Sequence, residues 1–237
     1  MLSGEVTVAY HDGKDVLLSE SANRTMKEEE QLHWWLDDGT LYVKYAASGL
    51  SEMKRLDKHL TVLLPEGMQL SEAKINVVSA GVEARDLCAD TIRLNTVSGD
   101  VALGANEAEQ IIIDAVSGNV QAEGVSAGTI RLSTVSGDAV IGVEAADQIT
   151  IDSVSGDVRV NARKANAIKA DSTSGKVHIC LPEGAGFTAK VDTVSGSVKG
   201  NMPMQREGKN TYTSGDGGCK ITVDTISGNV QLDKLSD

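Results

Sequence analysis

T-V-S-G-D-V at 96–101 returns as A-V-S-G-N-V at 115–120, S-V-S-G-D-V at 153–158 and T-I-S-G-N-V at 225–230. The serines mark a fixed interval: Ser79, Ser98, Ser117, Ser136, Ser155 and Ser174 stand 19 residues apart, Ser195 follows after 21 and Ser227 after 32. A constant short period is the signature of stacked identical units, each too small to bury its own apolar face. The chain reads as a solenoid, and a repeat of this kind encodes shape more plainly than chemistry.

Aligned on the serine, the units show apolar columns. Val82, Val101, Val120, Ala139, Val158, Val177, Val198 and Val230 stand three places after it, and Ala84, Leu103, Ala122, Ile141, Val160, Ile179 and Leu232 five places after it. Alanine recurs ten places on (Ala89, Ala108, Ala127, Ala146, Ala165), isoleucine thirteen on (Ile92, Ile111, Ile130, Ile149, Ile168), and Leu94, Ile113, Leu132, Ile151 and Ala170 fifteen on. Valine often stands just before the serine, as at Val97, Val116, Val135 and Val154. Apolar residues at every second place are strand periodicity, and two short strands plus two turns leave no room for a crossover helix. The spacing predicts an all-β fold, a single-stranded parallel β-helix (β-solenoid) of about 19 residues per coil, with equivalent strands about 4.8 Å apart. Residues 75–232 then stack as parallel coils with these Val, Ile, Leu and Ala columns inside. The crossover preference favours a right-handed coil, although coils near 18 residues also occur in left-handed helices. Glycine after the serine (Gly99, Gly118, Gly137, Gly156, Gly175, Gly196, Gly228) suits a corner needing positive φ, and the first copy departs with Ala80.

The chain divides into residues 1–74, irregular N-terminal coils or a cap continuous with the solenoid, and 75–237, a regular β-solenoid with a long loop at 200–219. Five of the seven aromatics (Tyr10, Trp34, Trp35, Tyr42, Tyr45) lie in the first 45 residues. There H-W-W-L at 33–36 and L-Y-V-K-Y at 41–45 flank a D-D-G-T turn, the pattern of a hairpin. Strand alternation turns one of Trp34 and Trp35 inward, with coil capping as the favoured use of both. R-T-M-K-E-E-E-Q at 24–31 fits a short helix, a strand or a loop. L-P-E-G occurs at 64–67 and 181–184, and L-S-G-E-V-T-V at 2–8 already resembles the repeat, so the chain reads as one continuous stack and as a fragment lacking an N-terminal part.

A net charge of −12, spread rather than gathered in a tail, disfavours nucleic acid, which needs a basic stripe, and disfavours anionic lipid surfaces. No stretch approaches a membrane span, and no signal peptide opens the chain. Cys88, Cys180 and Cys219 lack metal spacing and read as small core residues rather than a disulfide framework. Two polar columns invite a metal reading: Asn95, Asp114, Ser133, Asp152, Asp171, Asp192 and Asp224 before the serine, and Asp100, Asn119, Asp138, Asp157, Lys176, Ser197 and Asn229 after it. Rows of oxygen ligands suit calcium, but side chains that accept turn amides at the corners account for both columns. A third column (Thr96, Thr134, Ser153, Ser172, Thr193, Thr225) is broken by Ala115 and makes a poor hydroxyl ladder for ice or sugar. His11, His33, His59 and His178 are scattered, and a serine repeated in every coil is architecture, not a nucleophile. No catalytic residue, cofactor or metal site is assigned. A specific contact needs a break in regularity, and the 200–219 loop supplies one with Met202, Met204, Arg206 and Tyr212.

The iterated I-x-[LI]-[DNS]-[TAS]-V-S-G-[DN]-V motif across 75–232, with L-P-E-G before a further run and a final coil after a longer loop, resembles bacterial β-strand-repeat proteins of unknown function named putative adhesins. The resemblance implies a β-solenoid, no established catalytic residues and frequent association with the cell envelope, sometimes behind a membrane anchor or a helical N-terminal domain. It implies a non-catalytic adhesin or interaction scaffold that meets an unknown protein or glycan at the envelope, tethered through the missing N-terminal part; a cytoplasmic location stays open. The alternative is a carbohydrate-active parallel β-helix enzyme, a lyase or hydrolase.

Overall fold

The computed structural model describes residues 3–46 and 56–235; residues 47–55, within the irregular N-terminal region, and Leu2 of the early repeat echo lie outside the described residues. Strands carry most of it. The first five are β1 (Ser3–His11), β2 (Leu17–Ala22), β3 (His33–Asp37), β4 (Thr40–Lys44) and β5 (Asp57–Pro65). The repeats contribute β6 (Leu70–Val77), β7 (Gly81–Arg85), β8 (Cys88–Ser98), β9 (Val101–Gly104), β10 (Glu107–Ser117), β11 (Val120–Ser136), β12 (Ala139–Ser155), β13 (Val158–Ala162), β14 (Ala165–Ser174) and β15 (Val177–Leu181). The chain continues through β16 (Phe187–Thr193), β17 (Val198–Lys199), β18 (Gln205–Glu207), β19 (Thr211–Ser214), β20 (Cys219–Ser227) and β21 (Val230–Lys234). One 3₁₀ turn at Glu28–Glu30 is the sole helical element among the described residues.

The protein is an all-β, solenoid-like repeat structure. Equivalent strands pair in parallel, so Ile92, Ile111, Ile130, Ile149 and Ile168 stand shoulder to shoulder. On one face the order is β6-β8-β10-β11-β12-β14; on the other β7, β9 and the first halves of β11 and β12 lead to β13 and β15. The columns three, five, thirteen and fifteen places after the serine are buried almost throughout, with Ile130, Leu132, Ile149 and Ile151 at most 1% exposed. Small aliphatics suit this interior because the two faces are close and each coil repeats its neighbour's shape.

The valines before each serine depart from that expectation: Val97, Val116, Val135 and Val154 are about half exposed. Alternation is the reason. Positions thirteen and fifteen after one serine, and the Thr/Ser place two before the next, all point inward, which turns the intervening valine out. Thr96, Thr134, Ser153, Ser172 and Thr225 are accordingly buried rather than arrayed as a surface ladder.

Glycine after the serine answers a constraint beyond φ. Gly118, Gly137, Gly156 and Gly175 do have positive φ, yet Gly99 shows no such angle. A Cβ on Gly156 would sit 2.2 Å from the Gly137 carbonyl oxygen, and on Gly99 1.9 Å from that of Ala80. Each corner stacks so closely on its neighbour that no side chain fits. Ala80 is tolerated as the opening member of this run.

Both ends break sequence order. At one end β1 lies between β7 and β5, and β2 closes the edge antiparallel to β5. At the other, β20 pairs with β14 and β16, and β21 with β15 and β17. The last repeat in the chain therefore sits between the two that precede it, and β19 covers β16 antiparallel with β18 beyond it. Coils taken in sequence order would have placed residues 219–234 outermost. Matching columns make any repeat an acceptable neighbour for any other, so connections and unique side chains decide the order.

Candidate interaction groove

Corner residues of eight stacked coils form one continuous groove of about 1390 Å³. One wall is the polar column, which ends in four adjacent aspartates: Asp152, Asp171, Asp224 and Asp192 are direct strand neighbours in that order. The other wall is the exposed valine ladder, continued by Ile226 at 56% and Val194 at 83% exposure. Arg206, Lys209, Asn210 and Tyr212 close one end.

Like charges at strand spacing repel, and cations two places earlier on the same strand or on the adjacent one offset some of them. Lys169 reaches Asp171 at 2.5 Å, Lys190 reaches Asp192 at 3.0 Å and Arg131 lies 3.7 Å from Asp152. Lys190, and then the Asn210 amide that also donates to it, hold the Asp192 carboxyl below its ordinary range. The Lys169 and Lys190 ammoniums are pushed up by their aspartates. Asp114, Asp152 and Asp224 have Ile112, Thr150 and Thr222 two places earlier.

The column after the serine is a chain of backbone acceptors. The amide of Asn119 donates to Asp100 at 2.7 Å, Asp138 to Asn119 at 3.1 Å, Asp157 to Asp138 at 2.8 Å and Lys176 to Asp157 at 2.8 Å. Each side chain thus serves the next coil's corner amide, a use that needs no cation.

The four loop residues separate. Met202 is buried at 5% exposure inside the core cluster, because the chain leaving β17 turns inward beside Leu232. It offers no surface. Met204 packs partly against the core. Arg206 and Tyr212 reach the groove, facing each other across the β18–β19 pair, with the guanidinium carbon 5.9 Å from the ring centroid. Trp34 and Trp35 are both exposed, at 61% and 39%. The β3–β4 hairpin forms its own two-stranded sheet and meets the core through Val43, opposite Trp34, while both tryptophans stay at the surface; Trp35 stacks on Tyr42 at 4.8 Å.

Repeat spacing did not indicate that His178 would meet Asp233, 55 residues away. Strand insertion brings them together: His178 Nε2 lies 2.9 Å from Asp233 Oδ2 and 3.3 Å from Cys180 Sγ, all three residues buried. Carboxylate and thiol compete for one nitrogen while Nδ1 has no partner, so the relay of a nucleophile–base–carboxylate set is absent from this trio. Desolvation pushes the Cys180 thiol up, which keeps it protonated. The trio holds strands together.

The architecture defines a class: an all-β repeat protein with a long groove built from corner residues. The chain belongs to the Toastrack DUF4097 family, whose signature matches residues 3–233. No curated protein matches it. Among solved structures it is similar to a putative cell adhesion protein from Clostridium sporogenes ATCC 15579, at 13% identity over 98% of this chain and 89% of that one, with a TM-score of 0.28. So distant a likeness carries no argument here.

Proposed function

We propose that this chain is a non-catalytic interaction scaffold of the adhesin type, working at the bacterial cell envelope and meeting its partner, a protein or glycan, along the corner groove. In this reading residues 75–237 form a single-stranded parallel β-helix of about 19 residues per coil, wound right-handed, and residues 1–74 form its cap. Membrane association would come from sequence outside this chain; among the described residues no helix is long and apolar enough to cross a membrane.

The observation that carries the reading is the groove itself. Its walls repeat in eight coils, so it offers a long surface rather than one reacting point. An apolar stripe of this kind, interrupted once by Thr173, marks a contact site. Arg206 and Tyr212 break the regularity at one end and are the residues best suited to select a partner. A sugar-cleaving enzyme needs two carboxyl groups whose environments push their proton affinities apart. Three of the groove's five aspartates instead form ion pairs, Asp152 with Arg131, Asp171 with Lys169 and Asp192 with Lys190.

The test is a pull-down from a bacterial envelope fraction with the wild type, with Val135→Glu in the groove and with Arg206→Ala/Tyr212→Ala at its end. Loss of the captured partner in both variants, with circular dichroism unchanged, is the expected result. Capture that survives both substitutions removes the groove from the proposal.

A further inference from the structure

The inserted strands β20 and β21 have a consequence for how copies of this protein meet. They fill a slot whose walls are β14 and β15 on one side and β16 and β17 on the other. Everything the slot recognises is carried by residues 219–234. Ile221, Val223, Val230 and Leu232 continue the interior columns at no more than 2% exposure.

One polar contact distinguishes this unit from the other repeats. Asp233 accepts the Asn201 amide at 2.8 Å and pairs with His178 at 2.9 Å, linking the inserted strand to both walls. In the preceding coils the same column holds Asn161 and Cys180. The slot thus selects residues 219–234 over another repeat.

The unit joins the rest through a short, tight hinge. Ser214 and Cys219 flank Phe187 on opposite sides of β16, so residues 215–218 must pass over the start of that strand. Gly215 and Gly217 adopt positive φ, at 57° and 75°. At Gly186 beneath them, an added Cβ would lie 1.8 Å from Asp216 Oδ1. A hinge this tight holds the unit in its own slot by a compact turn; an extended hinge would present the same unit to another molecule.

We propose that residues 219–234 of one copy occupy the slot of a second copy, and the reverse, giving a reciprocally exchanged dimer. Every ladder bond and buried contact of the slot is kept in the exchange, and only the path of residues 215–218 changes. The reciprocal form leaves no slot empty, whereas an open-ended chain of copies leaves one unfilled at its end. Short hinges favour exchange and longer ones favour the closed monomer.

The experiment uses Ser174 and Ser227, direct neighbours on β14 and β20. Adjacent parallel strands bring Cα atoms to about 4.8 Å, within disulfide reach. Full-length S174C and S227C proteins are unfolded together, refolded at high protein concentration and oxidised. An S174C–S227C crosslink between copies as the main covalent product, with little from an S155C and S227C pair, is expected. A second arm inserts two glycines after Gly217, or deletes Gly217 and Gly218, and follows elution volume. Insertion should shift the protein toward monomer and deletion toward dimer. Absence of the intermolecular crosslink, when S174C/S227C in one chain crosslinks internally, overturns the proposal; so does a monomer at all concentrations in a deletion variant with native circular dichroism.

Discussion

The N-terminal cap and the repeat stack bury their contents by opposite means. Within the stack each coil meets a copy of itself, so one small aliphatic side chain per column suffices and backbone amides find the preceding coil's Asp or Asn. The cap has no next coil. It covers β1 and β5 with single-use residues, including the fully buried Lys58, whose ammonium meets Glu20 at 2.5 Å, the Glu30 carbonyl at 3.0 Å, the Tyr45 carbonyl, and the Tyr45 ring at 4.5 Å. Arg24 grips Glu30 at 2.6 Å and 2.8 Å, and Glu30 also accepts the Lys27 amide. Burial beside Asp57 and Glu20 pushes the Tyr45 hydroxyl up to about 12. Periodicity makes an interior by repetition, and the end of a repeat must be closed by residues that occur once.

The comparison breaks most visibly in the centre of the stack. Ile130→Asp places an unpaired carboxylate among apolar columns and should remove about 4 kcal/mol or more, read as loss of the cooperative urea transition. A variant that keeps wild-type stability would contradict the parallel interior.

Stacking contact and conformational freedom separate at two glycines. Gly156→Ala drives a methyl into the neighbouring corner's carbonyl and should cost about 3 kcal/mol. Gly67→Ala has positive φ but nothing within 4 Å, and should cost about 1 kcal/mol. Equal losses in denaturant melts would mean that close approach does not govern the corner.

In the cap, Lys58→Met leaves the Glu20 carboxylate and two carbonyls without their cation, at a cost of about 3 kcal/mol. Hydrogen exchange should rise in β2 and β5 and stay low in β10 to β12. Uniform acceleration along the chain would show that the cap and stack unfold as one unit.

Acid should loosen the cap through Glu30. The Arg24 side chain first, then the Lys27 amide, hold its carboxyl down at about 2. A depressed carboxyl contributes stability above its ordinary value of 4.5, and that contribution fades as pH falls from there toward about 2. Trp34 and Trp35 are the chain's two tryptophans and both lie on the cap hairpin. Their fluorescence should change across that window before the far-ultraviolet strand signal does; the reverse order would refute the assignment.

The smallest expected effect is that of calcium. With Asp100, Asp138 and Asp157 already serving corner amides, millimolar calcium should leave the melting temperature unchanged. A rise of several degrees, reversed by chelator, would assign those aspartates a metal.

Much of the fold was legible because strand alternation and a constant interval are visible residue by residue. Ile92 through Ile168 announce an interior column, and the glycines after Ser98 to Ser174 announce a corner. The candidate groove was less legible. Its polar wall stood out as a column, but the valine wall was read as interior, since a valine before a serine looks the same whichever way its strand faces. Met202 was legible only as a loop residue, and its burial depends on where the chain turns after β17.

Sequence by itself determined that this protein is all-β, that it is built from repeated strand pairs, and which positions stack on which, because identical side chains at fixed spacing are stable only against their own equivalents. Tertiary structure alone decided the order of the coils, the meeting of His178 with Asp233, and the side on which the valine ladder lies. The reason is degeneracy: repeats that share every column accept one another equally well, so their order rests on connections and on the few side chains that occur once.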